Sequence, residues 1–290
     1  MTVWEILNRS TDCFKDHHIE NPRLNAELLL ARSLNLSREQ LYIRLNDPMT
    51  EKEEETMERL MGRRISREPL QYILGHQEFW SIDFSVDPRV LIPRPETEFL
   101  VDQALLILAE NPLGRTPHVL EIGTGSGAVA ISLAKEVEDL FLVATDISRD
   151  ALLLAQENAE SGGVLHRVTF VNGDLFEPFR LFGRRGPFDL ILSNPPYITF
   201  SKIDELPKEV RDYEPIIALN GGEDGLDFYG RIIAQAPDYL RRGGWLLLEV
   251  GQGQSRIVSE LFEEGSYFLK PECIPDLSGI ERMVKAQRKQ

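Results

Sequence analysis

Four consecutive residues, Asn194-Pro195-Pro196-Tyr197, follow an apolar run at 188–192, and their types suit one kind of chemistry. A planar –NH2 nitrogen is a poor nucleophile, because its lone pair is delocalised into the adjoining carbonyl or ring. The side-chain oxygen of Asn194 and the carbonyl of Pro195 can each accept one of its N–H bonds, fixing the nitrogen and drawing the lone pair towards an electrophile. Such bonds strengthen as positive charge develops on nitrogen, so they favour the transition state over the ground state. Two prolines cannot continue a sheet ladder, which leaves the Pro195 carbonyl without a partner strand. Tyr197 offers a flat ring on which the acceptor can stack. The catalytic expectation therefore falls on Asn194, Pro195, Pro196 and Tyr197. Asn-Pro alone would mark no more than a strand end; the weight comes from what precedes it.

Upstream stands Glu121-Ile122-Gly123-Thr124-Gly125-Ser126-Gly127. Glycines allow a sharp turn and close backbone approach to a ligand. Such turns also serve NAD and FAD, but two features narrow the choice. The spacing is Gly-x-Gly-x-Gly rather than Gly-x-Gly-x-x-Gly, and an acidic residue precedes it. The next apolar run leads to Asp146, placed to accept hydrogen bonds from two ribose hydroxyls, although a helix cap is the alternative and Ser148 could fill that role as well. The third leads to Asn172-Gly173-Asp174-Leu175-Phe176, a polar group beside an apolar wall that suits an adenine ring. With the acceptor residues, this series points to S-adenosylmethionine, whose sulfonium needs no base before transfer. The expected cofactor contacts are Gly123, Thr124, Gly125, Ser126, Gly127, Asp146, Asp174 and Leu175. No metal site is expected: the histidines show neither ligand nor triad spacing, and Cys13 and Cys273 lie far apart.

These residues need a scaffold, and the pattern supplies one. Short apolar runs at 119–122, 141–144, 168–171, 188–192 and 245–250 alternate with helical segments. That alternation predicts an α/β fold, a Rossmann-like, mostly parallel sheet with helices on both faces, whose ligands lie beyond the C-terminal strand ends. Residues 1–67 read as helices. Asn21-Pro22 opens one, with proline at the first helical position, followed by Leu24, Leu28 and Ala31. Ser37 to Gln40 and Thr50 to Glu53 fit the capping box, and Met57, Leu60, Met61 and Ile65 mark an apolar face. Opposite them Arg59, Arg63 and Arg67 form either a solvated face, with Glu55 pairing to Arg59, or a docking stripe for an acidic partner. From Gln77 to Ile92, alternation around Phe79, Trp80, Ile82, Phe84 and Val86 predicts a hairpin. Pro93-Arg94-Pro95-Glu96-Thr97 then forms a stiff turn into a helix. The expected domains are 1–75 (helical, substrate recognition), 76–92 (β-hairpin linker) and 93–290 (methyltransferase). Residues 199–225, long and weakly patterned, are expected to be a lid or binding loop.

Charge excludes some partners. The 290 residues carry a formal net charge of −15, with 11 basic and 13 acidic side chains in residues 1–75 and 21 basic against 34 acidic in the remainder. A nucleic-acid enzyme usually presents a basic surface, so DNA is not an expected partner. No basic leader with an apolar run begins the chain and no stretch approaches membrane-helix length, so a cytoplasmic, membrane-free protein is expected, and a monomer.

The order of motifs resembles that of the peptide-chain-release-factor glutamine N5-methyltransferases over nearly the whole chain. The likeness includes Pro69-Leu70-Gln71-Tyr72-Ile73-Leu74-Gly75, Ile92-Pro93-Arg94-Pro95-Glu96-Thr97-Glu98, the glycine turn, and residues 193–198. It continues through Tyr213-Glu214-Pro215, Gly221-Gly222-Glu223-Asp224-Gly225-Leu226-Asp227 and Gly279-Ile280-Glu281-Arg282. The resemblance implies a small helical domain, a hairpin and a seven-stranded methyltransferase domain. It implies as substrate the glutamine of the Gly-Gly-Gln loop of release factors, and it adds Asn194 to the expected cofactor contacts. Glu121 departs from the aspartate of many relatives, and the extra methylene is expected to shift a contact to the cofactor's amino group. Two rivals share the acceptor chemistry: an adenine-N6 nucleic-acid methyltransferase, which would have to extract its base from the helix, and a ribosomal-protein glutamine methyltransferase.

Overall fold

The computed structural model describes residues 1–110, 114–182 and 186–290. The chain divides into two compact units, one made of Met1–His76 with Pro207–Tyr213, the other of Gln77–Leu206 with Glu214–Gln290.

The smaller unit is helical: α1 (Val3–Asp16), α2 (Pro22–Leu34), α3 (Arg38–Ile43), α4 (Glu51–Ile65) and α5 (Leu70–Leu74). Capping boxes at Ser37/Gln40 and Thr50/Glu53 start α3 and α4 as their sequences require. A third, Thr2/Glu5, starts α1 from the same Thr-x-x-Glu spacing. Met57, Leu60 and Met61 are buried as expected, in a core with Ile6, Leu7, Phe14, Leu29 and Leu30. The face assigned to α2 needs correction, because Leu24 is exposed while Asn25 and Glu27 are buried. α2 packs against α1, α3, α4 and α5, so its burial is not confined to one stripe. The polar residues it buries are paired: Glu27 accepts from Arg23 Nε at 2.8 Å and Arg38 Nε at 2.7 Å.

The arginine row on α4 is mostly engaged inside this unit. Arg63 pairs with Glu68. Arg67 donates to Glu209 at 3.2 Å and to the carbonyls of His17 and His18. Arg59 is exposed, and no ion pair joins it to Glu55 among the described residues. The arginine that matters most for packing is one the pattern did not single out. Buried Arg64 donates to Asn25 Oδ1 at 2.8 Å and to Glu209 Oε1 at 3.3 Å, fastening Pro207–Tyr213 to the helices. Arg64→Ala is expected to destabilise the chain by roughly 1.5–3 kcal/mol, the scale of hydrogen bonds to charged groups. The measurement is the urea midpoint, and an unshifted midpoint would remove Arg64 from this role.

In the larger unit β1 (His76–Phe79) and β2 (Ile82–Ser85) form the expected hairpin. Its two turn residues, Trp80 and Ser81, both have positive φ, 52° and 56°, where glycine or asparagine is usual. Trp80 is held there by two hydrogen bonds, its backbone N–H to Glu98 Oε1 and its indole N–H to Glu136 Oε1, at 2.7 and 2.8 Å. The hairpin packs through Phe79 and Phe84 into the core of this unit. After it come α6 (Glu98–Glu110), β3 (His118–Ile122), α7 (Ala128–Glu136), β4 (Phe141–Asp146), α8 (Arg149–Ser161), β5 (Val168–Asn172) and β6 (Phe188–Ser193). The short α9 (Lys208–Arg211), α10 (Asp227–Tyr239), β7 (Leu240–Glu249), α11 (Ser255–Glu264), β8 (Glu272–Pro275) and β9 (Glu281–Gln287) complete the chain.

Among the described residues seven strands form one sheet, in the order β5-β4-β3-β6-β7-β9-β8. The first five in that order are parallel, whereas β9 runs antiparallel to both β7 and β8. All five expected runs are strands. β8 and β9 gave no apolar run, because buried Met283, Val284 and Ala286 of β9 are interrupted and flanked by polar residues and β8 ends in Pro275. β7 begins five residues before its apolar run, where Leu240 pairs with Phe188 across an irregularity. From β3 the chain winds outward to β4 and β5, then crosses to β6 and β7. The direction therefore reverses between β3 and β6, and a crevice opens at their C-terminal ends. No helix is long and apolar enough to cross a membrane among the described residues.

Candidate active site

One cavity lies at this reversal, and the two expected motifs meet in it. Its wall includes Gly123, Thr124, Gly125, Ser126, Asp146, Asp174, Leu175, Asn194, Pro195 and Pro196. The glycine turn follows β3 directly. Gly123 and Gly125 have positive φ, 75° and 55°, and a Cβ on either would meet nothing within 4 Å. The need for glycine here is therefore conformational. Gly123 N and Thr124 N both donate to the carbonyl of Thr145, at 2.8 and 2.9 Å, so the turn is tied to the end of β4.

Asp146 completes that tie. Its Oδ2 accepts from Gly125 N at 2.9 Å and its Oδ1 from Ser148 N at 2.8 Å, and lone pairs remain for a ligand. The cap of α8 is Ser148, whose hydroxyl accepts from Ala151 N. Burial raises the Asp146 pKa, opposed by these backbone hydrogen bonds. Glu121 is buried beside it, 3% exposed, and accepts from the Thr124 hydroxyl at 2.6 Å. Burial, and secondarily the charge of Asp146, pushes the Glu121 pKa up to about 7. Asp174 is ion-paired with Arg231.

The acceptor residues are arranged by polarity. The Asn194 side-chain N–H donates to Thr97 Oγ1 at 3.1 Å, while its Oδ1 has no hydrogen-bond partner among the described residues. The Pro195 carbonyl likewise accepts no hydrogen bond among them. Two acceptors thus stand free on the wall that also carries the glycine turn. Two expected residues lie off this wall. Gly127 caps α7, where a Cβ would come within 2.9 Å of Ile131 and 3.2 Å of Ala155; its place is in helix packing. Tyr197 packs into the core under α10 and α11, its ring beside Gly251 and its carbonyl accepting from Gln254 Nε2 at 3.2 Å.

Sequence reasoning missed several wall residues. Thr97 and Arg94 come from the proline turn, Phe228 and Arg231 from α10, and Pro215, Ile217 and Ala218 from the 199–225 segment. None had a spacing signal, since each is brought in by a different loop or helix. Arg94 is held by buried Glu214 at 2.7 Å, which joins the Pro-Arg-Pro and Tyr-Glu-Pro motifs.

A family model described as the PrmC N-terminal domain matches residues 5–75, and another, the methyltransferase small domain, matches 98–206. The chain is 44% identical over 288 residues to the release factor glutamine methyltransferase of Geobacter sulfurreducens, across 98% of this chain and 95% of that one. It belongs to that family. A second member, from Koribacter versatilis, is 42% identical over 99% of both chains. The crystal structure of a methyltransferase from Pyrococcus furiosus has a TM-score of 0.50 at 20% identity, covering 72% of this chain and 90% of that one, which shows the fold alone. This member is an S-adenosylmethionine-dependent protein-glutamine methyltransferase, and its cavity fits that cofactor. Open space faces Gly123 and Gly125, a buried pair of carboxylates can take hydroxyl and amino donors, and Ile147 and Leu175 supply apolar wall.

The buried acid beside the glycine turn sets a pH dependence. Its raised pKa means the folded state holds a proton that the unfolded chain has released. Stability from Glu121 is therefore present below about pH 4.5 and lost as pH rises through about 7. Glu121→Gln should accordingly raise Tm more at pH 8 than at pH 5, by calorimetry without ligand. An equal effect at both values would contradict the shift.

Proposed function

We propose that this enzyme methylates the side-chain amide nitrogen of the glutamine in the Gly-Gly-Gln loop of peptide chain release factors. The observation that carries the reading is the polarity of Asn194. With its N–H turned to Thr97, only acceptors, Asn194 Oδ1 and the Pro195 carbonyl, are presented to the substrate. A primary amide has two N–H donors to match them. When bound, S-adenosylmethionine supplies a methyl group on a positively charged sulfur, already electrophilic. Gly123, Thr124, Gly125, Ser126, Asp146, Asp174 and Leu175 would hold it. Asn194 and Pro195 orient the amide nitrogen, and their hydrogen bonds tighten as positive charge grows there. Orientation of this kind can supply several of the roughly 7–11 kcal/mol available from proximity.

Adenine N6 presents the same two donors, but the net charge of −15 opposes a polyanionic substrate, and we infer no role on DNA. The names of the relatives, matched over 95% and 99% of their length, support a release factor over a ribosomal protein. The protein acts as a monomer in the cytoplasm, where release factors work. A pocket for one planar amide cannot select among surface glutamines, so recognition draws on remote surface. The helical unit and the 199–225 segment are the candidates.

Incubation with labelled cofactor and either release factor, ribosomal proteins or DNA tests the acceptor; label in either of the last two alone would overturn the reading. Asn194→Ala should lower kcat by about 10²–10³-fold, as loss of one group stabilising transition-state charge does, with little change in cofactor Kd. Asp146→Ala should do the reverse, weakening cofactor binding by roughly 1.5–3 kcal/mol in calorimetry. Matching effects of both variants on Kd and kcat would undo this division of roles.

A further inference from the structure

Behind the acceptor wall lies a carboxyl group that the mechanism above does not use. Glu249 is the last residue of β7, level with Asn194, since Leu248 pairs with Ser193. It is 3% exposed, and its Oε2 is buried without a hydrogen-bond partner among the described residues. It does not reach the cavity wall, whereas Thr97 and Asn194 do. We propose that Glu249 is a positioning residue for the transfer: with Thr97, it fixes the Asn194 amide so that Oδ1, not Nδ2, faces the acceptor nitrogen. This inference rests on the acceptor reading given above.

The argument is one of hydrogen-bond direction. A side-chain amide can occupy its site in two orientations that exchange oxygen and nitrogen. An ionised carboxylate only accepts. Thr97 Oγ1 accepts from Asn194 Nδ2 at 3.1 Å, which leaves the hydroxyl proton for Glu249. Thr97 and Asn194 lie beside the Glu249 carboxylate, and donation from either favours its charged form. Flipping Asn194 would set its oxygen against acceptors on the inner side. On the cavity side it would set –NH2 against –NH2. In a buried site such a mismatch is costly, so the carboxylate biases the amide towards the productive orientation.

The bias depends on charge. Burial, aided by the charge of Glu96, pushes the Glu249 pKa up to about 7 against the donors Thr97 and Asn194 and the charge of Arg282. The other titratable groups facing it are the phenols of Tyr197 and Tyr229, whose own pKa values its charge helps raise; the Tyr229 hydroxyl donates to the Glu249 carbonyl at 3.0 Å. Once protonated, Glu249 becomes a donor and can satisfy the flipped amide. A carboxylate kept buried with an unpaired oxygen costs stability, which is what a positioning role and not a packing role implies.

The test compares wild type, Glu249→Gln, Thr97→Val and the double variant. Glu249→Gln carries a donor permanently. It should lower kcat on release factor about tenfold or more, with KM and cofactor Kd near the wild-type values and Tm unchanged or higher. Wild type is expected to show a rise in kcat through about pH 7, and the remaining activity of Glu249→Gln should lack it. The double variant should be no slower than the slower single one, because both act through Asn194. Independently of any substrate, the Asn194 side-chain amide resonances should shift with pH around 7 in wild type and not in Glu249→Gln. A kcat within about twofold of wild type, a lowered Tm that accounts for the loss, or amide resonances indifferent to pH would each overturn the proposal. Should wild type leave release factor unlabelled, the acceptor reading fails, and the amide titration still decides the orientation of Asn194.

Discussion

Asp146 ends β4, where the backbones leaving three neighbouring strands converge on one residue. Its carboxylate takes a backbone N–H from the glycine turn after β3 and another from the start of α8. Its own carbonyl accepts from Gly173 N and from Asn172 Nδ2, at 3.0 and 2.9 Å. The ends of β3, β4 and β5 are thereby joined through one residue. Backbone groups leaving a sheet must find partners or remain solvated, and here they converge on an acid that still has lone pairs to offer. The same convergence gives the cavity its floor.

A second constraint is polarity sorting on the acceptor side. Prolines at 195 and 196 remove donors, and Thr97 turns the donor half of Asn194 inward. Asn194 Oδ1 and the Pro195 carbonyl are left as acceptors. The interior carries the cost of this arrangement as buried acids: Glu121 and Glu249 both have pKa values pushed up to about 7 by desolvation. Groups so perturbed gather at functional sites more than elsewhere.

The segment after the acceptor motif shows how glycine supports this geometry. A Cβ at Gly221 would lie 2.8 Å from the Pro196 carbonyl oxygen, and one at Gly225 would lie 2.4 Å from that of Tyr197. The Gly-Gly-Glu-Asp-Gly motif is thus pressed against the backbone of the acceptor loop. Gly221 N donates to the Ile198 carbonyl, and Ile198 N to that of Leu219, which seals the contact. Between these locks the chain departs to the helical unit for Pro207–Tyr213 and returns at buried Glu214. The binding-loop expectation for this segment is consistent with Pro215, Ile217 and Ala218 on the cavity wall.

The parallel strands, the capping boxes of α3 and α4, the hairpin and the glycine turn were legible in the sequence, because each rests on local period, turn chemistry or a fixed short spacing. So were Asn194 and Asp146, which stand directly at strand ends. Other features depended on partners remote in sequence. β8 and β9 are strands by virtue of the edge they pair with, and Trp80 and Ser81 form a tight turn although neither is glycine. Arg64 is buried because Asn25 and Glu209 meet it, and Tyr197 packs against the core beneath α10 and α11. Thr97 and Glu249 are separated from Asn194 by 97 and 55 residues, and no spacing rule links them. A sequence fixes which groups can donate or accept; which of them face one another, and so how an amide must turn, is decided only when the strands are laid side by side.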